Sequence, residues 1–244
     1  MLPENTGDQW TPRLRLFVLK NLFPLIVLFL MLAAIHPATV QCQTDLPPTQ
    51  TPSSQSDSTV MRRGTNEFGV LGGIAFHAPT LWGTTEDARF GNIAFRYGRV
   101  LAANKTLAFE WTIEASPLAV LSLKRFTFTQ TSPGSFAVTT HREKVYGTGL
   151  SPIGLKFNFR PQRRVQPFGS ASGGFLFFGD DIPVPGAARF NFNVEFSGGV
   201  QIISGSRRGF TLGYKYQHIS NGGHSQINPG VDLQLIYAGF SIFR

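Results

Sequence analysis

Charge is scarce in this chain. Asp, Glu, Lys and Arg make up 15% of its 244 residues, too few to clothe an ordinary soluble domain. Cysteine is nearly absent, and Cys42 alone excludes any internal disulfide. Long apolar runs are missing too: the mean hydropathy of −0.01 excludes a bundle of membrane helices. Acidic residues number 14 against 22 Lys and Arg, a net charge of +8. No nucleic-acid-binding motif accompanies that excess, and the basic residues are scattered, with Arg163, Arg164, Arg207 and Arg208 in presumed turns. Nucleic acid is therefore not expected as a partner; an anionic lipid surface suits such a protein better.

Aromatics and glycine are abundant: 23 Phe, 26 Gly and 13% aromatic residues overall. Strands and lipid contact favour this composition. A membrane β-barrel reconciles it with the low hydropathy, because only alternate residues of each strand need be apolar.

Three segments are expected. Residues 1–42 read as a signal peptide, with Arg13, Arg15 and Lys20 ahead of an apolar stretch from Leu22 to Ile35. An uncleaved anchor is the alternative, since the basic region is long. Gln41 before Cys42, where a lipoprotein signal has a small residue, argues against lipidation and for cleavage beside Cys42. Residues 43–65 are rich in Pro, Ser, Thr and Gln and read as a flexible periplasmic linker. Residues 66–244 then form the barrel.

Within 66–244 about eight segments alternate between apolar and polar residues. In one, Phe190, Phe192, Val194, Phe196, Val200 and Ile202 alternate with Asn191, Asn193, Glu195, Ser197 and Gln201. In others Ile153, Leu155, Phe157 and Phe159 form an apolar row, as do Leu107, Phe109, Trp111 and Ile113. The polar rows carry Asn, Ser, Gly and mixed charges, which suit a narrow lumen, while the apolar rows suit lipid. The expected fold is all-β: an eight-stranded antiparallel transmembrane β-barrel. A soluble lipocalin-like barrel is the alternative. Connections near 102–106, 161–165 and 205–209 are expected to be short, and those near 79–89, 117–145, 179–189 and 221–230 long, with the long ones outside the cell.

Chemistry concentrates near residue 220. The apolar row Phe210, Leu212, Tyr214 and Tyr216 continues into His218 and Ser220, so both should face lipid near the external rim. Ser220 could attack an acyl ester with His218 as its base. A hairpin symmetric about Ser225 would bring Asp232 opposite His218, although the next strand is apolar on both faces and leaves the direction of Asp232 open. Asn221 and the backbone amides of Gly222 and Gly223 could serve an oxyanion. Equally, Tyr, His and Ser at a barrel rim could be interfacial residues, and Asn221, Gly222, Asn228, Pro229 and Gly230 ordinary turn formers. His77, His141 and His224 have no partner pattern. Asp180 and Asp181 read as solvated turn residues, with weak Ca²⁺ binding as the alternative.

Tyr216-Gln-His-Ile-Ser-Asn-Gly-Gly followed by Asn228-Pro-Gly resembles the C-terminal signature of the lipid A 3-O-deacylase family. Ser151-Pro-Ile-Gly-Leu-Lys-Phe and Gln166-Pro-Phe-Gly resemble family positions more weakly. The resemblance implies an outer-membrane serine esterase that releases the ester-linked acyl chain at position 3 of lipid A. It makes His218 the base, Ser220 the nucleophile and Asn221 an oxyanion contributor, beside the Gly222 amide already noted from the residues themselves. Asp232 stands where the family has Glu, one methylene longer. The implied substrate is lipopolysaccharide at the outer leaflet, with no metal or cofactor. A homodimer is left open. The competing functions are a structural or adhesive barrel, using the 117–145 segment, and a phospholipase using the same Ser and His.

Overall fold

A computed structural model describes residues 61–205 and 207–244. The expected signal peptide and residues 43–60 of the expected linker lie outside the described residues. Every element described is a strand: β1 (Asn66–Ala75), β2 (Arg89–Ala103), β3 (Leu107–Ser132), β4 (Ser135–Phe159), β5 (Val165–Ile182), β6 (Ala188–Ser204), β7 (Arg208–Ser220) and β8 (Val231–Phe243). Each pairs antiparallel with its sequence neighbours, and β1 pairs with β8 to close the barrel. Closure leaves no unpaired edge within the barrel wall, the condition for spanning a bilayer with strands; above Ser122 and Gly147, β3 and β4 pair only with each other. The chain is an eight-stranded transmembrane β-barrel.

The apolar rows face outward, as the alternation requires. Phe68, Val70 and Ile74 on β1, Ile153, Leu155 and Phe157 on β4, and Phe210 and Leu212 on β7 are all exposed. Connections 104–106, 160–164 and 205–207 form one end of the barrel, here called the turn end. Connections 76–88, 133–134, 183–187 and 221–230 form the loop end.

The interior has two halves. Toward the turn end it is ionic: Lys156 Nζ lies 2.7 Å from Glu67 and 3.3 Å from Glu110. Farther along, Arg96 meets Glu114 at 2.6 Å, and Lys215 bridges Glu195 at 2.6 Å and Glu114 at 3.4 Å. Buried charges persist only when paired in this way. Toward the loop end the lumen is apolar, filled by Phe90, Leu121, Leu176, Phe178, Leu233 and Leu235 among others. The polar-lumen expectation therefore holds for one half only. The apolar plug also explains why β8 is apolar on both faces: Leu233, Leu235 and Tyr237 point inward, and Ile236, Ala238 and Phe240 point outward.

The long loop expected at 117–145 is not a loop. Strands β3 and β4 run through it to a turn at Pro133 and Gly134, with Gly134 at a φ of +83°. A register shift between Ser116 and Ala119 breaks the alternation there. Beyond residue 125 the hairpin is exposed on both faces, so no apolar–polar contrast marks it as strand.

At the turn end, Met61 is buried with Val100, Ala108, Ile203 and Phe243. The last residues of the expected linker thus pack against the barrel base.

Candidate active site

The β7–β8 ladder pairs His218 with Asp232. Ile219 and Val231 beside them are buried in the lumen, so His218 and Asp232 both project from the outer wall. His218 Nδ1 lies 2.6 Å from Asp232 Oδ1. Because the carboxylate only accepts, this contact places the imidazole proton on Nδ1 and leaves a lone pair on Nε2. Ser220 follows on the same row, one two-residue step of about 6.8 Å along the strand. Its hydroxyl makes no hydrogen bond among the described residues.

Asp232 projects outward yet is completely buried. The β1–β2 connection covers it. Three consecutive backbone amides, from Leu81, Trp82 and Gly83, donate to Asp232 Oδ2 at 2.7, 2.7 and 2.9 Å. Tyr216 Oη donates to Oδ1 at 2.9 Å. With His218, five donors converge on one carboxylate and fix it on both oxygens. The Trp82 ring stands edge-on to His218, Tyr216 and Phe196, with centroids 5.5, 5.6 and 6.3 Å away. It walls the imidazole on one side and is itself 61% exposed.

The loop is held in place by the β7–β8 connection. Thr84 N donates to Pro229 O at 2.6 Å, and Thr85 Oγ1 donates to Gly230 O at 2.6 Å. Gly83 and Gly230 cross in direct contact. A Cβ on Gly83 would lie 2.7 Å from the Gly230 carbonyl carbon, and one on Gly230 would lie 3.1 Å from His218 Cε1. Gly230 also has a φ of +64°, so glycine is required there for conformation as well as space.

On the other side Ser220 is paired with Phe192 of β6. Phe192 belongs to an aromatic strip: it contacts Phe190 at 5.2 Å, which stacks on Phe175 at 5.7 Å. The nucleophile candidate therefore sits between a hydrogen-bonded dyad and an apolar outer wall.

A family model described as "Lipid A 3-O-deacylase (PagL)" matches residues 72–241. The chain belongs to the lipid A 3-O-deacylase family. Among solved structures it resembles the outer membrane enzyme PagL, with 13% identity over 70% of this chain and 97% of that one and a TM-score of 0.47. It also resembles Neisserial surface protein A, with 16% identity over 73% and 98% and a TM-score of 0.43. The outer membrane protein OprG from Pseudomonas aeruginosa is 9% identical over 75% and 97%, with a TM-score of 0.43. Among curated proteins none matches the chain in sequence.

In this deacylase-family chain His218 and Asp232 are in contact, and Ser220 shares their outer face. Asn221 is held within the β7–β8 turn, in keeping with its turn-forming reading. Its side chain is buried in the turn, where Nδ2 donates to Ile227 O at 2.8 Å and Oδ1 accepts from Gly223 N at 2.9 Å. It thereby organises the turn that presents Gly222, whose amide makes no hydrogen bond among the described residues. His224 lies tilted against Phe192, with ring centroids 5.6 Å apart. Asp180 and Asp181 shape the β5–β6 turn, Asp181 Oδ2 accepting from Gly186 N.

Leu81, Trp82 and Gly83 were not visible as site residues in the sequence. Their bonds to Asp232 come from main-chain N–H, which any residue but proline supplies, so residue type carries no signal of the clamp; the glycine at 83 answers only to its close contact with Gly230. Only Trp82, a large aromatic amid loop residues, could have drawn notice.

Proposed function

We propose that the chain is a serine esterase that hydrolyses the 3-position acyl ester of lipid A. The observation that carries this reading is the His218–Asp232 contact on the lipid-facing wall beside Ser220. Inside a lumen the same pair would be structural. On the outer wall the 81–83 amides and Tyr216 hold it in one geometry beside Ser220.

In the proposed mechanism Ser220 Oγ attacks the ester carbonyl as its proton passes to His218 Nε2. Asp232 keeps the Nδ1 proton and stabilises the imidazolium that forms. The Gly222 amide serves the developing oxyanion, with Asn221 fixing its turn. The tetrahedral intermediate collapses, His218 protonates the departing sugar oxygen, and the acyl chain remains on Ser220. Water, deprotonated by His218, then attacks this acyl-enzyme and releases the fatty acid. The strip of Phe175, Phe190 and Phe192 would receive the acyl chain. With the loop end outside the cell, the site opens to the outer leaflet of the outer membrane, where lipid A resides.

A fluorophosphonate reagent tests the nucleophile. Purified protein in lipid micelles should be labelled on Ser220, and His218→Ala should lose labelling at equal fold. Absence of labelling in the wild type would contradict the reading.

A further inference from the structure

A second feature of the outer wall lies on β2, β3 and β4, away from Ser220. The ladders align Arg89 with Ser122 and Ser122 with Lys144, and one step higher they align Lys124 with Arg142. Phe90, Leu121, Leu123 and Val145 are buried in the lumen, so these alternate positions face outward. All four cations are exposed. Directly toward the membrane the same face presents Val120 and Tyr146, then Leu118 and Ile93. The cluster therefore caps the apolar girdle at its loop-end boundary.

Its charge is largely uncompensated. Among the described residues Asp87 is the one carboxylate in contact, 3.4 Å from Lys124 Nζ, and its backbone oxygen accepts from Arg142 Nη1 at 3.0 Å. Glu86 is exposed in the same connection. The nearby Arg125–Glu143 pair, at 2.7 Å, lies on the opposite face of the hairpin. The side chains of Arg89 and Lys144 make no ion pair or hydrogen bond among the described residues.

We infer that Arg89, Lys124, Arg142 and Lys144 form a binding site for the phosphate headgroup of an anionic membrane lipid. Two guanidinium groups and two ammonium groups match phosphate oxygens in charge and in hydrogen-bond donors. The apolar residues beneath would pack the acyl chains of the same molecule, which distinguishes a lipid from a free anion. The site does not depend on ester hydrolysis, because it shares no residue with the Ser220 face.

The test uses the full chain carrying Ser220→Ala, in detergent, with phosphatidic acid as the probe and phosphatidylcholine as its zwitterionic control. Native mass spectrometry should show phosphatidic acid retained in preference to phosphatidylcholine. The double variant Arg142→Gln/Lys144→Gln should weaken that binding about 30-fold, about fivefold per cation. The exchange Arg142→Lys/Lys144→Arg should keep it within about threefold. Equal retention of the two lipids, an undiminished preference in the Gln variant, or full displacement by equimolar inorganic phosphate would overturn the proposal.

Discussion

Asp232→Asn isolates the clamp. The substitution keeps the shape of the side chain but replaces one acceptor oxygen with an NH₂ donor. Two orientations are open. If the NH₂ group faced the 81–83 loop, three amides now within 2.9 Å of Oδ2 would meet another donor. Each stranded buried N–H costs about 1–3 kcal/mol. If instead the NH₂ group faces His218 and Tyr216, the tyrosine hydroxyl can turn to accept and only the imidazole must adapt. The second orientation wins, and its chemical consequence is specific. His218 Nδ1 becomes an acceptor, its proton moves to Nε2, and the lone pair that should take the Ser220 proton is gone. Losses from such a tautomer reversal run to about 10³–10⁴-fold in kcat, or roughly 4–5.5 kcal/mol of transition-state stabilisation. Turnover of a micellar acyl ester gives the rate. Heat-modifiable gel mobility confirms the fold, and ¹⁵N shifts of His218 report the tautomer. Near-full turnover by folded Asp232→Asn would refute the role assigned to this carboxylate.

Three further outcomes are expected. Tyr216→Phe removes one charge-assisted bond from Oδ1 and should lower kcat about tenfold with little change in KM, read from steady-state kinetics. Gly83→Ala would place a Cβ 2.7 Å from the Gly230 backbone; displacing the loop by about 1 Å should reduce turnover about hundredfold while the barrel still folds, as gel mobility would show. Lys156→Met leaves Glu67 and Glu110 without their shared cation and should cost about 3–5 kcal/mol of stability, measured by urea unfolding in lipid vesicles.

The barrel was legible because its outward rows are long and pure. Phe190 through Ile202 alternate over most of β6, and that alternation fixes which face meets lipid. The juxtaposition of His218 and Asp232 followed from an antiparallel hairpin centred on Ser225, since their register depends only on spacing. Three things were hidden. The direction of Asp232 could not be read because Leu233 and Leu235 are as apolar as Ile236, the upper lumen being filled with hydrocarbon. The β3–β4 extension was mistaken for a loop, because a hairpin exposed on both faces has nothing to alternate against. The 81–83 clamp left no trace, because the hydrogen bonds come from the main chain and join residues about 150 positions apart.

The central claim is that Ser220 cleaves an acyl ester of lipid A. Mass spectrometry of lipid A from outer membranes carrying the wild type, beside Ser220→Ala, tests it most directly. The expected result is loss of one ester-linked acyl chain in the wild type alone, with phospholipids unchanged. Intact lipid A in both strains, or fatty acid released from phospholipid instead, would contradict it.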